Sequence, residues 1–136
     1  MSDAESFFDS NVLLYLLSAD AEKADRAEVL LARSGAISVQ VLNEFTTVAV
    51  RKFGLSFAEA REMLGTIRTV CVTHPLTIEH HDKGSEIAER YGFSFYDSVI
   101  VASALLAGCN VLYSEDLQHQ QVIEKRLTVI NPFAKP

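Results

Sequence analysis

Residues 7–17 read FFDSNVLLYLL, a short apolar stretch followed by an acid, a hydroxyl, an amide and a second apolar run. The first two residues suit a buried strand, and the apolar run after Asn11 suits a helix. Ser10 is a residue type that commonly caps helices, so we expect a helix from about Asn11 with Ser10 at its N-cap. Asp9 then falls at the carboxyl end of the strand, where α/β proteins carry their polar sites.

The composition predicts a globular chain. Its 136 residues are 49% hydrophobic and 22% charged, which fits one domain spanning residues 1–136. The formal net charge of −6 argues against a broad basic face for non-specific binding to nucleic acid. It does not exclude an enzyme that acts on nucleic acid, because bound cations can invert the field of an acidic cleft.

Cysteine usage and the apolar runs bear on location. Cys71 and Cys109 have neither a disulfide framework nor metal-ligand spacing, and we expect two buried thiols in a reducing cytoplasm. The start MSDAESFF lacks the basic segment of a signal peptide, and no apolar run reaches the roughly 18 residues of a membrane span. We therefore expect a cytoplasmic protein with no membrane partner.

Short apolar segments alternate with helical patterns along the chain. This alternation predicts an α/β fold with a mostly parallel, five-stranded sheet between helices. We expect the third helix to bury a stripe made of Val41, Phe45, Val48 and Lys52. The expected strands are 6–8, 36–39, 70–72, 111–114 and 127–130, and the expected helices are about 11–18, 21–33, 40–53, 57–69, 77–91 and 95–107.

Four acids occupy unusual positions in this pattern. Asp9 ends the first strand, Asp116 follows the fourth, Asp97 begins the most apolar helix, and Glu44 lies mid-helix among apolar neighbours. Each has a structural alternative. The two strand-end acids can serve as caps or turn residues, Asp97 can complement the helix dipole behind a Ser94 cap, and Glu44 can pair with a distant base.

The chemistry of the four acids depends on whether the fold brings them together. Neighbouring carboxylates repel one another and raise each other's pKa unless a positive group lies between them. A hard divalent cation, Mg²⁺ or Mn²⁺, prefers oxygen ligands and would suit such a cluster. The reaction class expected of that arrangement is metal-assisted hydrolysis of a phosphodiester.

On these residues the sequence resembles the PIN-domain ribonucleases that serve as toxins in VapBC-type toxin–antitoxin pairs. The resemblance rests on FFDSNVLLYLL, ISVQVLNEF, FSFYDSVIVASALLAGCNVLYSEDLQ and VINPF, and it covers nearly the whole chain. It implies a PIN-like three-layer sandwich. It also implies a catalytic metal site with Asn11 and Ser114 in support, made of Asp9, Glu44, Asp97 and Asp116.

The same resemblance implies partners. They are an RNA substrate, commonly tRNA or ribosomal RNA, a cognate antitoxin protein and a second copy of the chain in a homodimer. Gln120 stands where similar sequences often carry glycine, so the loop after Asp116 is expected to differ in shape. Whether Glu115 reaches the metal is left open.

Other polar residues give weaker signals. Arg51 and Lys52 follow Glu44 by about two helical turns and are candidates for contact with RNA phosphate, although a solvated helix end explains them as well. His80 and His81 are adjacent, which is not a metal-ligand spacing on a helix, and we expect both to be solvated.

Three other functions fit parts of the pattern. A dehalogenase-type phosphatase would need an acid where Asn11 stands, and a two-component receiver domain would need an acceptor Asp where Thr73 and His74 follow the third strand. The third alternative is a catalytically weak PIN-like module that binds RNA or protein. The complete set of acids favours an enzyme.

Overall fold

The computed structural model describes residues 5–134, so the two ends of the expected domain, residues 1–4 and 135–136, lie outside the described part. In this part of the chain, helices separate the first four of six strands, and the last three strands follow one another without a helix between them. The strands are β1 Ser6–Phe8, β2 Gly35–Ser38, β3 Cys71–His74, β4 Val111–Tyr113, β5 Val122–Ile123 and β6 Leu127–Ile130. The helices are α1 Ser10–Leu14, α2 Ala21–Ala32, α3 Val39–Phe53, α4 Phe57–Val70, α5 Ile78–Tyr91 and α6 Phe95–Leu106, with a 3₁₀ turn at Tyr15–Leu17.

The strand order β3-β2-β1-β4-β6-β5 places the switch of connectivity between β1 and β4. The chain moves outward from β1 through β2 to β3 and then crosses back to β4 on the other side of β1. Right-handed crossovers on the two sides of this switch put α1 to α4 on one face of the sheet and α5 with α6 on the other. The predicted α/β sandwich is therefore confirmed, and its ligand edge lies where β1 and β4 end.

The predicted sheet of five strands is wrong by one strand. Residues Val122–Ile123 form β5, which pairs antiparallel with β6, while the five expected strands run parallel. β5 and β6 are joined by a tight turn with positive φ at Glu124 and Lys125, closed by Arg126 N–H donating to the Ile123 carbonyl at 3.2 Å. Such turns usually carry Asn-Gly or Asp-Gly, so Glu-Lys gave no sign of a hairpin.

The interior stripe of α3 also differs from the predicted one. Val41, Phe45 and Ala49 are fully buried, whereas Val48 is only partly buried and Lys52 is exposed. The three buried residues are four apart, and residues at this spacing form the ridge along which a helix packs against its neighbours. In contrast, α6 is buried along most of its length, as its nearly uncharged sequence predicts.

Two helix boundaries correct the sequence reading. Asp9, not Ser10, is the N-cap of α1, because its carboxylate accepts the Ser10 backbone N–H at 2.7 Å and Ser10 is the first helical residue. The chain leaves α2 through Ser34, whose backbone has a left-handed φ of +65°. The glycine that follows, Gly35, already belongs to β2. On α4 the Ser56 hydroxyl accepts the Glu59 backbone N–H and the Glu59 carboxylate accepts the Ser56 backbone N–H, which forms a capping box.

Both cysteines are buried free thiols, as expected, and burial raises the pKa of each to about 11. Among residues 5–134, no helix has the length and apolar character required to cross a membrane.

Gly35 marks a close approach between β1 and β2 that can be tested. A Cβ at this position would lie 2.6 Å from a ring carbon of Phe8 and 2.8 Å from the Ser6 carbonyl oxygen. We expect Gly35→Ala to lower the free energy of unfolding by about 1–3 kcal/mol through overpacking. Gly65→Ala is the matched control, since a Cβ there meets nothing within 4 Å on exposed α4 and should stabilise by about 0.5–1 kcal/mol. Urea unfolding of the two variants measures these changes. An unchanged free energy of unfolding for Gly35→Ala would contradict the close approach of β1 and β2 at Gly35.

Candidate metal and catalytic site

Three of the four predicted acids meet at the switch point of the sheet. Asp9 ends β1, Asp116 follows β4 by three residues, and Asp97 lies in the first turn of α6. One carboxylate oxygen from each can be chosen so that all three lie within 4.8 Å of one another. The fold thus gathers acids separated by up to 107 residues of sequence into one cluster, which we call the acid triad.

Asp9 lies at the centre of this arrangement and is only 1% exposed. Oδ1 accepts the Ser10 backbone N–H at 2.7 Å, and Oδ2 accepts the Ser114 hydroxyl at 2.8 Å. The Asn11 amide donates to Oδ2 at 3.4 Å. Burial raises the pKa of Asp9 to about 7, against the lowering effect of the Ser114 and Ser10 bonds.

The other two acids of the triad are held by hydroxyl caps. The Ser94 hydroxyl accepts the Asp97 backbone N–H at 3.2 Å, which makes Ser94 the N-cap of α6. Burial raises the pKa of Asp97, and the nearby negative charge of Asp116 adds to this shift. Asp116 is exposed, and its backbone N–H donates to the Ser114 hydroxyl at 3.2 Å. Ser114 therefore links two acids of the triad.

Glu44 lies beside the triad and is not one of its three converging carboxylates. Its Oε1 accepts the Ser10 hydroxyl at 2.9 Å, and its Oε2 accepts the Gln40 amide at 2.9 Å. It shares with Asp116 an open cleft of about 550 Å³, within the usual size range of ligand sites. We call this the acidic cleft. Its walls are Ser10, Asn11, Leu14, Gln40, Asn43, Glu44, Thr47, Val48, Tyr96 and Asp116.

Glu115 is engaged elsewhere. Its carboxylate accepts the Tyr15 hydroxyl at 2.6 Å and lies 3.7 Å from the Lys23 ammonium nitrogen. Its backbone N–H donates to the Asn11 side-chain oxygen at 3.1 Å. Asn11 thus connects Asp9 at the end of β1 to the segment after β4. The Glu115 side chain contacts Lys23 of α2 and Tyr15 of the 3₁₀ turn.

Sequence reasoning missed three residues of this site. Ser10 contacts both Asp9 and Glu44, although its sequence suggested only a cap. Gln40 lies one turn before Glu44, a spacing that could have indicated the bond between them. Tyr96 is 64% exposed in the acidic cleft next to Asp97, and only the unusual exposure of a large aromatic ring singles it out.

The weaker predictions fall outside the acidic cleft. Arg51 and Lys52 are exposed in the last turn of α3 and do not line it, so contact with RNA remains a prediction for them. Of the two adjacent histidines, His81 is exposed as expected, whereas His80 is buried. The His80 ring nitrogen Nδ1 lies 2.8 Å from the Thr77 hydroxyl at the start of α5, a structural contact.

The donor set of the triad fits a hard divalent cation. Three carboxylates provide only oxygen ligands, which Mg²⁺ and Mn²⁺ prefer. Within residues 5–134, none of the salt bridges involves Asp9, Glu44, Asp97 or Asp116, so no basic side chain neutralises the cluster. Negative charge without a cationic partner at a partly buried site is what a metal ion would balance.

The parallel sheet and the acid triad at its switch point define an α/β domain with a carboxylate site able to hold a metal ion. The chain belongs to the PIN domain family, whose family model matches residues 6–125. A search among curated proteins found no match in sequence.

Solved structures of similar fold come from several bacteria. VapC20 of Mycobacterium tuberculosis, a toxin that cleaves the sarcin-ricin loop, is 23% identical with a TM-score of 0.68, covering 82% of this chain and 89% of its own. A toxin–antitoxin complex from Klebsiella pneumoniae is 18% identical with a TM-score of 0.70, covering 94% and 98%. VapBC2 from Rickettsia felis, bound to promoter DNA, is 16% identical with a TM-score of 0.63, covering 91% and 96%.

The raised pKa of Asp9 predicts how stability depends on pH in the chelator-treated protein. An acid whose folded pKa lies above its unfolded value stabilises the fold when protonated, and this contribution is lost as pH rises from about 4 to about 7. Asp9→Asn stays neutral, so the melting temperature of the variant minus that of the unsubstituted protein should increase over this range. A difference that stays constant from pH 4 to pH 7 would contradict the shifted pKa.

Proposed function

We propose that the chain is a Mg²⁺- or Mn²⁺-dependent endoribonuclease, the toxin of a VapBC-like toxin–antitoxin pair, with residues 1–136 as its single nuclease domain. The observation that carries this proposal is the acid triad at the switch point of the sheet. Membership of the PIN domain family supports it, as does the likeness in fold to toxins and toxin–antitoxin complexes.

In this proposal Asp9, Asp97 and Asp116 hold the ion, and Glu44 acts from the side of the same cleft. A bound divalent cation would supply Lewis-acid chemistry, by lowering the pKa of water and neutralising charge on a phosphate. Ser114 and Asn11 orient Asp9 by donating to the same oxygen, Oδ2, which fixes the carboxylate in place.

Glu44 can serve the reaction as an anchored acceptor. Both of its oxygens already accept one hydrogen bond from a neutral donor, Ser10 or Gln40, so the carboxylate is fixed in position. Each oxygen keeps a further lone pair that can orient or accept a proton from a ligand in the acidic cleft. Holding groups in a reactive geometry is a large part of catalysis.

The proposed partners follow from the same site. The substrate is RNA, of the tRNA or ribosomal RNA class, and the chain acts as a homodimer controlled by a cognate antitoxin. A cationic antitoxin segment would complement the acidic cleft, because opposite potentials across an interface steer association. Arg51 and Lys52 remain candidates for RNA phosphate contacts outside the cleft.

Asp97→Asn tests the catalytic assignment. The substitution keeps the shape of the side chain and removes one charge from the triad, so we expect cleavage of RNA in Mg²⁺ or Mn²⁺ to fall about 100-fold or more. The metal-free variant should fold and melt no lower than the unsubstituted protein, because repulsion within the triad is relieved. RNA ends mapped after expression of both forms would measure the loss.

Asp25→Asn is the matched control for this experiment, since Asp25 is exposed on α2 outside the acidic cleft. It makes the same change of charge and should cleave normally. Full cleavage by Asp97→Asn would overturn the site assignment, and RNA binding without cleavage by the unsubstituted protein would favour the binding-module alternative.

A melting experiment tests metal binding without reference to activity. Mn²⁺ at about 100 times its dissociation constant should stabilise the protein by about 2.7 kcal/mol through mass action. Asp116→Asn should lose most of this shift, and because Asp116 is exposed the substitution should leave the metal-free fold unchanged. Equal Mn²⁺ shifts in both proteins would place the ion elsewhere.

A further inference from the structure

A second cleft includes His119, three residues after Asp116. It is open, has a volume of about 600 Å³, and is walled by α2, the ends of β4 and β6 and the chain that follows β6. Three of its lining side chains are the basic residues Arg26, Arg33 and His119, and none is acidic. We call it the basic cleft. Two of the three acids of α2, Asp25 and Glu28, line a neighbouring depression instead.

The two guanidinium groups of the basic cleft are available for a ligand. Arg26 and Arg33 are seven residues apart on α2, which puts them on one face of the helix. Arg26 Nη1 donates to the Pro132 carbonyl at 2.8 Å, which orients the group and leaves its other donors unused. Within residues 5–134, the Arg33 side chain forms neither a hydrogen bond nor a salt bridge, and Arg26 has no acidic partner.

His119 adds a third donor with a defined orientation. The backbone N–H of Asn131 donates to Nδ1 of His119 at 2.9 Å. Because Nδ1 accepts this bond, the ring carries its proton on Nε2. The imidazole is exposed, so this second nitrogen can donate to a ligand.

The basic cleft adjoins the acid triad. Tyr113 lines it, and the Tyr113 carbonyl oxygen accepts the backbone N–H of Asp9 at 2.9 Å. His119 follows Asp116 by three residues, which span at most about 10 Å. A ligand that occupies both clefts therefore needs to cross only the segment between Ser114 and His119.

We propose that the basic cleft binds the phosphate backbone of the RNA strand that is cut at the acid triad. This inference rests on the proposed function. A chain of net charge −6 with an uncompensated acid cluster repels a polyanion unless local cations hold it. Arg26 and Arg33 are such cations beside the site, and the His119 imidazole adds a neutral N–H donor. Guanidinium groups bind phosphate through paired N–H donors, and contacts of this kind position a strand without reading its sequence.

The test measures binding of a short, fluorescein-labelled, single-stranded RNA of mixed sequence by fluorescence anisotropy. The full chain carries Asp97→Asn so that the RNA stays intact. Adding Arg33→Gln should weaken binding about fivefold, the size of one exposed ion pair, and should make the slope of log K against log salt shallower by about 0.7. Arg33→Lys keeps the charge and should keep most of the slope.

Arg61→Gln is the matched control, because Arg61 is exposed on α4, lines neither cleft and makes the same change in net charge. Equal effects of Arg33→Gln and Arg61→Gln, no effect of either, or no RNA binding at all would overturn the inference. A loss specific to Arg33→Gln supports it even if the unsubstituted protein fails to cut RNA, which would count against the proposed function alone. Cleavage of RNA by the unsubstituted protein, together with RNA binding that Arg33→Gln leaves unchanged, would overturn the inference and leave the proposed function standing.

Discussion

A carboxylate withdrawn from water at the end of the central strand is the constraint on which the rest of the site depends. Asp9 is buried beneath α1 and the end of β4, and every hydrogen bond it accepts comes from a neutral group. An isolated charge in such a place is costly, which is why its pKa rises toward neutrality in the metal-free protein. Protonation offsets this cost in the metal-free protein. In the charged form, a cation held by the acid triad would offset it instead.

The neighbouring side chains divide into two groups. Ser10, Asn11 and Ser114 donate to acids, and they connect Asp9 to Glu44 on one side and to the segment after β4 on the other. Tyr15 and Lys23 hold Glu115, the acid that sequence alone could not place. With Glu115 committed to Tyr15 and Lys23, Asp116 is the acid of this segment that joins the triad.

The sequence was sufficient for features governed by local patterns. Apolar strands, the uncharged α6, the αL glycine at Gly54 and the Ser56 capping box all follow from neighbours within a few residues. The failures have a common cause, which is dependence on distant contacts. The hairpin at Glu124 and Lys125 lacks turn residues and is held by pairing with β6. Asp9 caps α1 in place of Ser10, whose hydroxyl donates to the distant Glu44 instead. The basic cleft joins α2 to the chain after β6, over a hundred residues on, which no local spacing can reveal.

The loop after Asp116 couples the two clefts, and its shape depends on Gln120. This residue has a φ of +70°, a left-handed conformation that glycine adopts most readily. Ladder bonds compensate for the strain, since Gln120 N–H donates to the Val129 carbonyl at 2.7 Å and Val129 N–H donates to the Gln121 carbonyl at 2.8 Å. Ser114 N–H also donates to the Ile130 carbonyl at 3.0 Å, so β6 holds both ends of a short arc, with Asp116 lining one cleft and His119 the other. Because the arc is anchored by backbone bonds, a change of side chain at Gln120 that kept the left-handed turn would leave the spacing between the clefts intact.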